Sequence, residues 1–79
     1  MADKPTIKRL QEKPPTLEEA QEYVGGMVEL VTCPDGTQLI CNEDGIAHNL
    51  LINVEATDLS GIHIIRGNVL HLKGKGKWT

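Results

Sequence analysis

The chain has 79 residues, room for one domain, and a domain this small hides only about 60% of the surface its unfolded form exposes. Tyr23 and Trp78 are the only aromatic residues, so the core must be built from Ile, Leu, Val, Ala and Met; cores this thin commonly gain stability from a partner, a metal or a disulfide. The net charge is −3, and no stretch approaches the roughly 18 apolar residues of a membrane span.

The opening "MADKPTIKRLQEKPPT" is polar and carries three prolines. Pro14-Pro15 can continue neither a helix nor a strand ladder, which makes residues 1–15 a flexible arm and residues 16–79 a single α+β domain. The domain starts with a helix. Thr16 is its N-cap, Glu19 completes a capping box and Gly25 supplies a left-handed stop. Leu17, Ala20 and Val24 share one face with Tyr23 beside them, while Glu18, Glu19 and Glu22 point outward. So short a helix is not stable alone and must lie on a sheet.

The sheet begins with "MVELVTC" and "TQLICN", two apolar runs joined by an Asp35-Gly36 turn. In that hairpin Cys33 lies opposite residue 37 or 38 and Cys41 opposite 29 or 30. They are then about 10–13 Å apart along the ladder, against a limit near 7 Å between Cα atoms for a disulfide. Two free thiols and no signal-peptide pattern point to a reducing, intracellular compartment, the cytoplasm. "NEDG" makes a second turn. In "IAHNLLINVEATDLSG" the alternation of Ile46, His48, Leu50, Ile52 and Val54 reads as a short strand, and Asn53 as the cap of a helix ending before Gly61. "IHII", a turn at Gly67-Asn68 and "VLHLK" give two short strands or one bent strand, with Leu70 and Leu72 inward and Val69, His71 and Lys73 on the opposite face. The result is an α+β fold: a small, mostly antiparallel sheet of about four short strands with one N-terminal amphipathic helix and room for a second short one.

"YVGGMVELV", "NEDG", "NLLIN" and "GNVLHLKGKGKW", in this order over residues 23–78, resemble a family of small domains of unknown function found in bacteriophages, plasmids and actinobacterial or firmicute genomes. The resemblance implies a compact α+β domain of mobile genetic elements, and no activity, cofactor or catalytic residue comes with it.

Chemistry-bearing residues are sparse. His48, His63 and His71 are scattered and the two cysteines lie eight positions apart, unlike the short regular spacing of metal ligands. "NEDG" lacks the alternating acids and closing Glu of a calcium loop. Ser60, the only serine, reads as part of a turn, and cysteines in apolar strand runs are usually inert. No nucleophile, base and orienting group can be assembled, so the expectation is a protein without catalytic residues, metal or cofactor.

The charge map says more. From Pro14 to Ile65 there is no Lys or Arg, while Glu18, Glu19, Glu22, Glu29, Asp35, Glu43, Asp44, Glu55 and Asp58 are acidic; basic residues sit in the arm and, as Arg66, Lys73, Lys75 and Lys77, near the end. This reads as an acidic body with basic extremities. Three readings of different classes follow. In the first, an accessory protein of a phage or other mobile element inhibits a host protein, such as a defence component, by docking an acidic face of Glu18, Glu19, Glu22, Glu43 and Asp44 on its basic surface. In the second, an oligomer sequesters a nucleotide signal with Arg66, His71, Lys73, Lys75, Lys77 and Trp78. In the third, the basic tail binds nucleic acid weakly, since three lysines neutralise about three phosphates beside many carboxylates. Ile62, Ile64, Ile65 and Val69 are surplus apolar residues that assign a homodimer interface. Lys73, Lys75 and Lys77 would share one face of an extended strand and guard its edge.

Overall fold

A computed structural model describes residues 4–78. In chain order these form β1 (Ile7–Leu10), α1 (Leu17–Val24), β2 (Val28–Thr32), β3 (Gln38–Asn42), α2 (Val54–Ser60), β4 (Val69–Leu72) and a 3-10 turn at Gly74–Gly76. The four strands make one sheet in the order β1-β4-β3-β2, parallel between β1 and β4 and antiparallel elsewhere. The fold is α+β, with a helix on each side of a mostly antiparallel sheet.

Both sheet faces are buried because each strand is apolar on both sides. On one face α1 brings Ala20 and Val24 onto Ile40, Leu70 and Leu72, with Leu10, Tyr23, Val28 and Trp78 closing the margin. On the other, Ala56 of α2 and Ile65 meet Val31, Cys33, Leu39, Cys41 and Val69. β4, in the middle of the sheet, is buried along its whole length. That is the pattern of a strand covered on both faces.

α1 forms where its caps dictate. The Glu19 N–H donates to Thr16 Oγ1 at 3.1 Å, the Thr16 N–H donates to Glu19 Oε1 at 2.8 Å, and Gly25 ends the helix at φ 84°. Leu17, expected on the buried stripe, is half exposed instead. The β2–β3 hairpin pairs Thr32 with Gln38 and Glu29 with Cys41, and both cysteines are free and buried. α2 starts at the Asn53 cap, whose Oδ1 accepts from the Ala56 N–H, and stops before Gly61.

Four expectations are corrected. Residues 7–10 of the expected arm are strand β1, aligned with 69–72; residues 1–3 lie outside the described residues. β1 offers one apolar residue per face, Ile7 and Leu10, too few for an alternating pattern, and its partner lies 62 positions downstream. The domain therefore begins before Thr16. The expected turn at "NEDG" runs on to residue 49 and displaces the strand expected from Ile46 to Val54, and "IHII" contributes no strand, with one bridge between Ile52 and Arg66 standing in for both. The alternating tail is not extended, because Gly74 at φ 51° turns it into the 3-10 turn. Finally, Ile65 and Val69 are 3% and 0% exposed, core residues rather than interface.

Candidate functional site

The charges are not laid out as a plain acidic body with basic ends. Lys8 shares a groove with Glu19, Glu22 and Tyr23 on the α1 side of β1, and on the other side Arg9 Nη2 meets Glu55 Oε2 at 2.7 Å. Alternation along β1 thus sends one cation to each helix. Glu18 and Glu22 are exposed, whereas the Glu19 carboxylate is held below its ordinary range chiefly by its bonds to Thr16, with Lys13 and Lys8 adding to the effect. Glu43 and Asp44 lie elsewhere, in the turn after β3. The five predicted acidic residues therefore form two separate sets.

The set containing Glu43 borders a cleft of about 140 Å³ between the ends of β2 and β3, the 43–49 turns and the loop after α2. Glu29 and Glu43 stand on its rim, Cys41 and Val31 lie beneath, and Ile46, Ile64 and Arg66 form its far side. The walls are fixed by local bonds. Asn42 Oδ1 accepts from the Asp44 N–H at 2.7 Å and its Nδ2 donates to the Val24 carbonyl at 3.1 Å, joining the turn to the end of α1. A Cβ at Gly45 would come within 3.0 Å of Arg66 Cβ, so glycine permits the close approach of the two walls. The opposite loop is held by α2: Thr57 Oγ1 accepts from the Ile65 N–H at 2.9 Å and Ser60 Oγ from the His63 N–H at 3.0 Å. With Ile65 drawn into the core, its neighbour Ile64 is left outside at 66% exposure, and Ile46 at 81%. An apolar pair rimmed by carboxylates is the outcome.

Cys41 beneath the cleft has its thiol pushed up to about 11, first by burial and then by Glu29; burial likewise raises Cys33. Both stay protonated near neutrality and are poor nucleophiles. Arg66 Nη1 donates to the Leu50 carbonyl at 3.1 Å, bracing the turn.

The other predicted contact residues do not converge on Arg66. His71 is buried toward the opposite end of β3, where its Nε2 lies 2.8 Å from Thr37 Oγ1, and the Thr37 hydroxyl in turn donates to Asp35 Oδ1 at 2.6 Å. His71 therefore donates through Nε2 and leaves Nδ1 as a bare acceptor. Burial, then Arg9 and Lys73, lower its pKa against the pull of Asp35 and Glu55. Asp35 is held low by its two bonds from Thr37. Lys77 Nζ donates to the Gly36 carbonyl, Lys75 is exposed, Lys73 is half-buried and Trp78 is docked with its Nε1–H on the Pro15 carbonyl at 2.8 Å. Ile62, at 87% exposure, stands in the loop beside the cleft without lining it.

Glu29, Ile46 and His63 escaped the sequence reading. In the sequence Ile46 and His63 fall within expected strands, and Glu29 is one carboxylate among nine.

Among the described residues no group of His, Cys, Asp and Glu side chains is arranged to hold a metal, and no helix is long and apolar enough to cross a membrane. No curated protein and no solved structure matches the chain. A family model described as a domain of unknown function, DUF3846, matches residues 2–79, nearly the whole chain, and the chain therefore belongs to that family.

Proposed function

We propose that this chain is a non-catalytic binding module, an accessory protein of a phage or other mobile element that acts in the bacterial cytoplasm by docking on a basic surface of a host protein and inhibiting it. The observation that carries this reading is the cleft: Ile46 and Ile64, 81% and 66% exposed, are bordered by the exposed carboxylates Glu29 and Glu43, and exposed Asp44 follows Glu43 in the chain. Apolar anchors inside a charged rim are the anatomy of a protein interface, and the sign of the rim selects a basic partner. The acidic residues of α1 support it less, because Lys8 and Lys13 lie close to Glu19. The nucleotide-sequestering reading gains little from the geometry, since Arg66 stands apart from His71 and the tail lysines.

The test is capture from host lysate with wild-type protein and with Glu43→Lys, Ile64→Asp and, as a control on the far side of the molecule, Glu18→Lys. The reading requires a protein retained by wild type and the control, lost with both cleft variants and released by moderate salt. Equal retention by all four proteins would place the contact elsewhere.

A further inference from the structure

The two edges of the sheet are unlike each other. β1 carries Lys8 and Arg9, the kind of charge that keeps an edge strand from pairing with another chain. β2, at the other edge, reads Val-Glu-Leu-Val-Thr, with neither lysine nor proline. Its backbone phase follows from the hairpin. The Cys33 N–H donates to the Thr37 carbonyl and the Glu43 N–H to the Met27 carbonyl, so the odd-numbered residues of β2 turn their amides toward β3. Val28, Leu30 and Thr32 then turn theirs outward, and among the described residues nothing bonds to them from outside the sheet. The side chains agree: Leu30 is 43% and neighbouring Met27 59% exposed, both beside this edge.

We propose that the β2 edge binds the β2 edge of a second copy, antiparallel and two-fold symmetric about Leu30, giving one continuous eight-stranded sheet. The sequence of the strand selects both occupant and register. In an antiparallel pair related by a two-fold axis, a residue pairs either with itself or with one an even number away. Centring on Leu30 sets Val28 opposite Thr32 and Glu29 opposite Val31, so all five residues pair, with about six ladder bonds. Centring one residue earlier sets Glu29 directly against Glu29, a like-charge pair that destabilises a sheet, and centring one residue later leaves Val28 without a partner. On the α1 side the Leu30 side chains then meet across the axis with Met27 at either end. The dimer is thus reassigned from Ile62, Ile64, Ile65 and Val69 to a backbone edge. It does not rest on the partner reading above, and because the axis is perpendicular to the sheet both clefts lie on one face, with Glu29 and Val31, which line each cleft, paired across the new edge.

Light scattering and amide hydrogen exchange on the full chain test this. Wild type is expected at twice 8.7 kDa at micromolar concentration, with the Val28, Leu30 and Thr32 amides protected. Leu30→Lys charges the edge, and Thr32→Pro removes an outward N–H that the monomer does not use. Each should halve the mass, and Thr32→Pro should leave the far-UV spectrum unchanged. A wild-type mass of 8.7 kDa, open-ended oligomers, or a dimer whose three outward amides exchange freely each overturns the proposal. The exchange measurement on wild type decides it even if a variant fails to fold.

Discussion

Gln38 grips Trp78 with both ends of its side-chain amide: its Oε1 accepts the Trp78 backbone N–H at 2.7 Å and its Nε2 donates to the Trp78 carbonyl at 2.5 Å. A side chain at the start of β3 thereby pairs with the tail as a neighbouring strand would. Gln38→Glu keeps the shape but sets a carboxylate against the Trp78 carbonyl, and should cost about 1–3 kcal/mol. Trp78 is the only tryptophan, so its fluorescence during urea unfolding reports this directly. An early fluorescence transition, ahead of the loss of secondary structure, is the expected form.

Removing residues 1–13 should destabilise the domain by more than about 3 kcal/mol, a large part of the 5–15 kcal/mol typical of a folded protein. The deletion strips β4 of its parallel neighbour and uncovers the margins that Ile7 and Leu10 close. Thermal melts of the shortened chain check it.

Thr16→Ala removes an oxygen that accepts from the Glu19 N–H, and should cost about 0.5–2 kcal/mol. Denaturant melts of the two proteins give the difference.

His71 makes stability pH-dependent near neutrality. Its folded pKa is depressed, chiefly by burial, so its contribution is complete above the unfolded value of about 6.5 and is lost as pH falls from there through the folded value, levelling below it. The lowered pKa values of Asp35 and Glu19 act in a more acid window, below about 4. His71→Gln retains a donor for Thr37 and should flatten the melting temperature between pH 7 and the carboxylate limb, while wild type declines across it.

Cys33 and Cys41 should react with a thiol reagent only on unfolding, and reductant should not change the melting temperature. Cys41 stands opposite Glu29 and Cys33 lies four positions beyond that register, about 13 Å along the strand. Labelling rates with and without denaturant measure it.

The elements legible in the sequence are those whose signals are local. Thr16, Glu19 and Gly25 mark α1 within ten positions, Asp35-Gly36 marks the hairpin, and Asn53 marks α2. What stayed hidden depends on distant chain. β1 is a strand only because β4 lies beside it. The tail lysines look like a strand until Gly74 and the Gln38 amide bend them back. Ile64 and Ile65 are indistinguishable as letters, and the Thr57 hydroxyl, by bonding the Ile65 amide, decides which one faces water. The acid-rimmed cleft is assembled from three separate segments, so only its carboxylates could be read in advance.

The placement of β4 has a consequence for how the protein is made. The last of the four strands in chain order lies inside the sheet, and it is the only neighbour of the first strand. Until it arrives, β1 has no ladder and the inner edge of β3 is open, so the nascent chain can form little beyond the β2–β3 hairpin. Closure requires contacts that span almost the whole sequence, which slows folding relative to a domain of local contacts. A chain interrupted before β4 would therefore be not a slightly smaller domain but an unfolded one, open to proteolysis before it could bind anything.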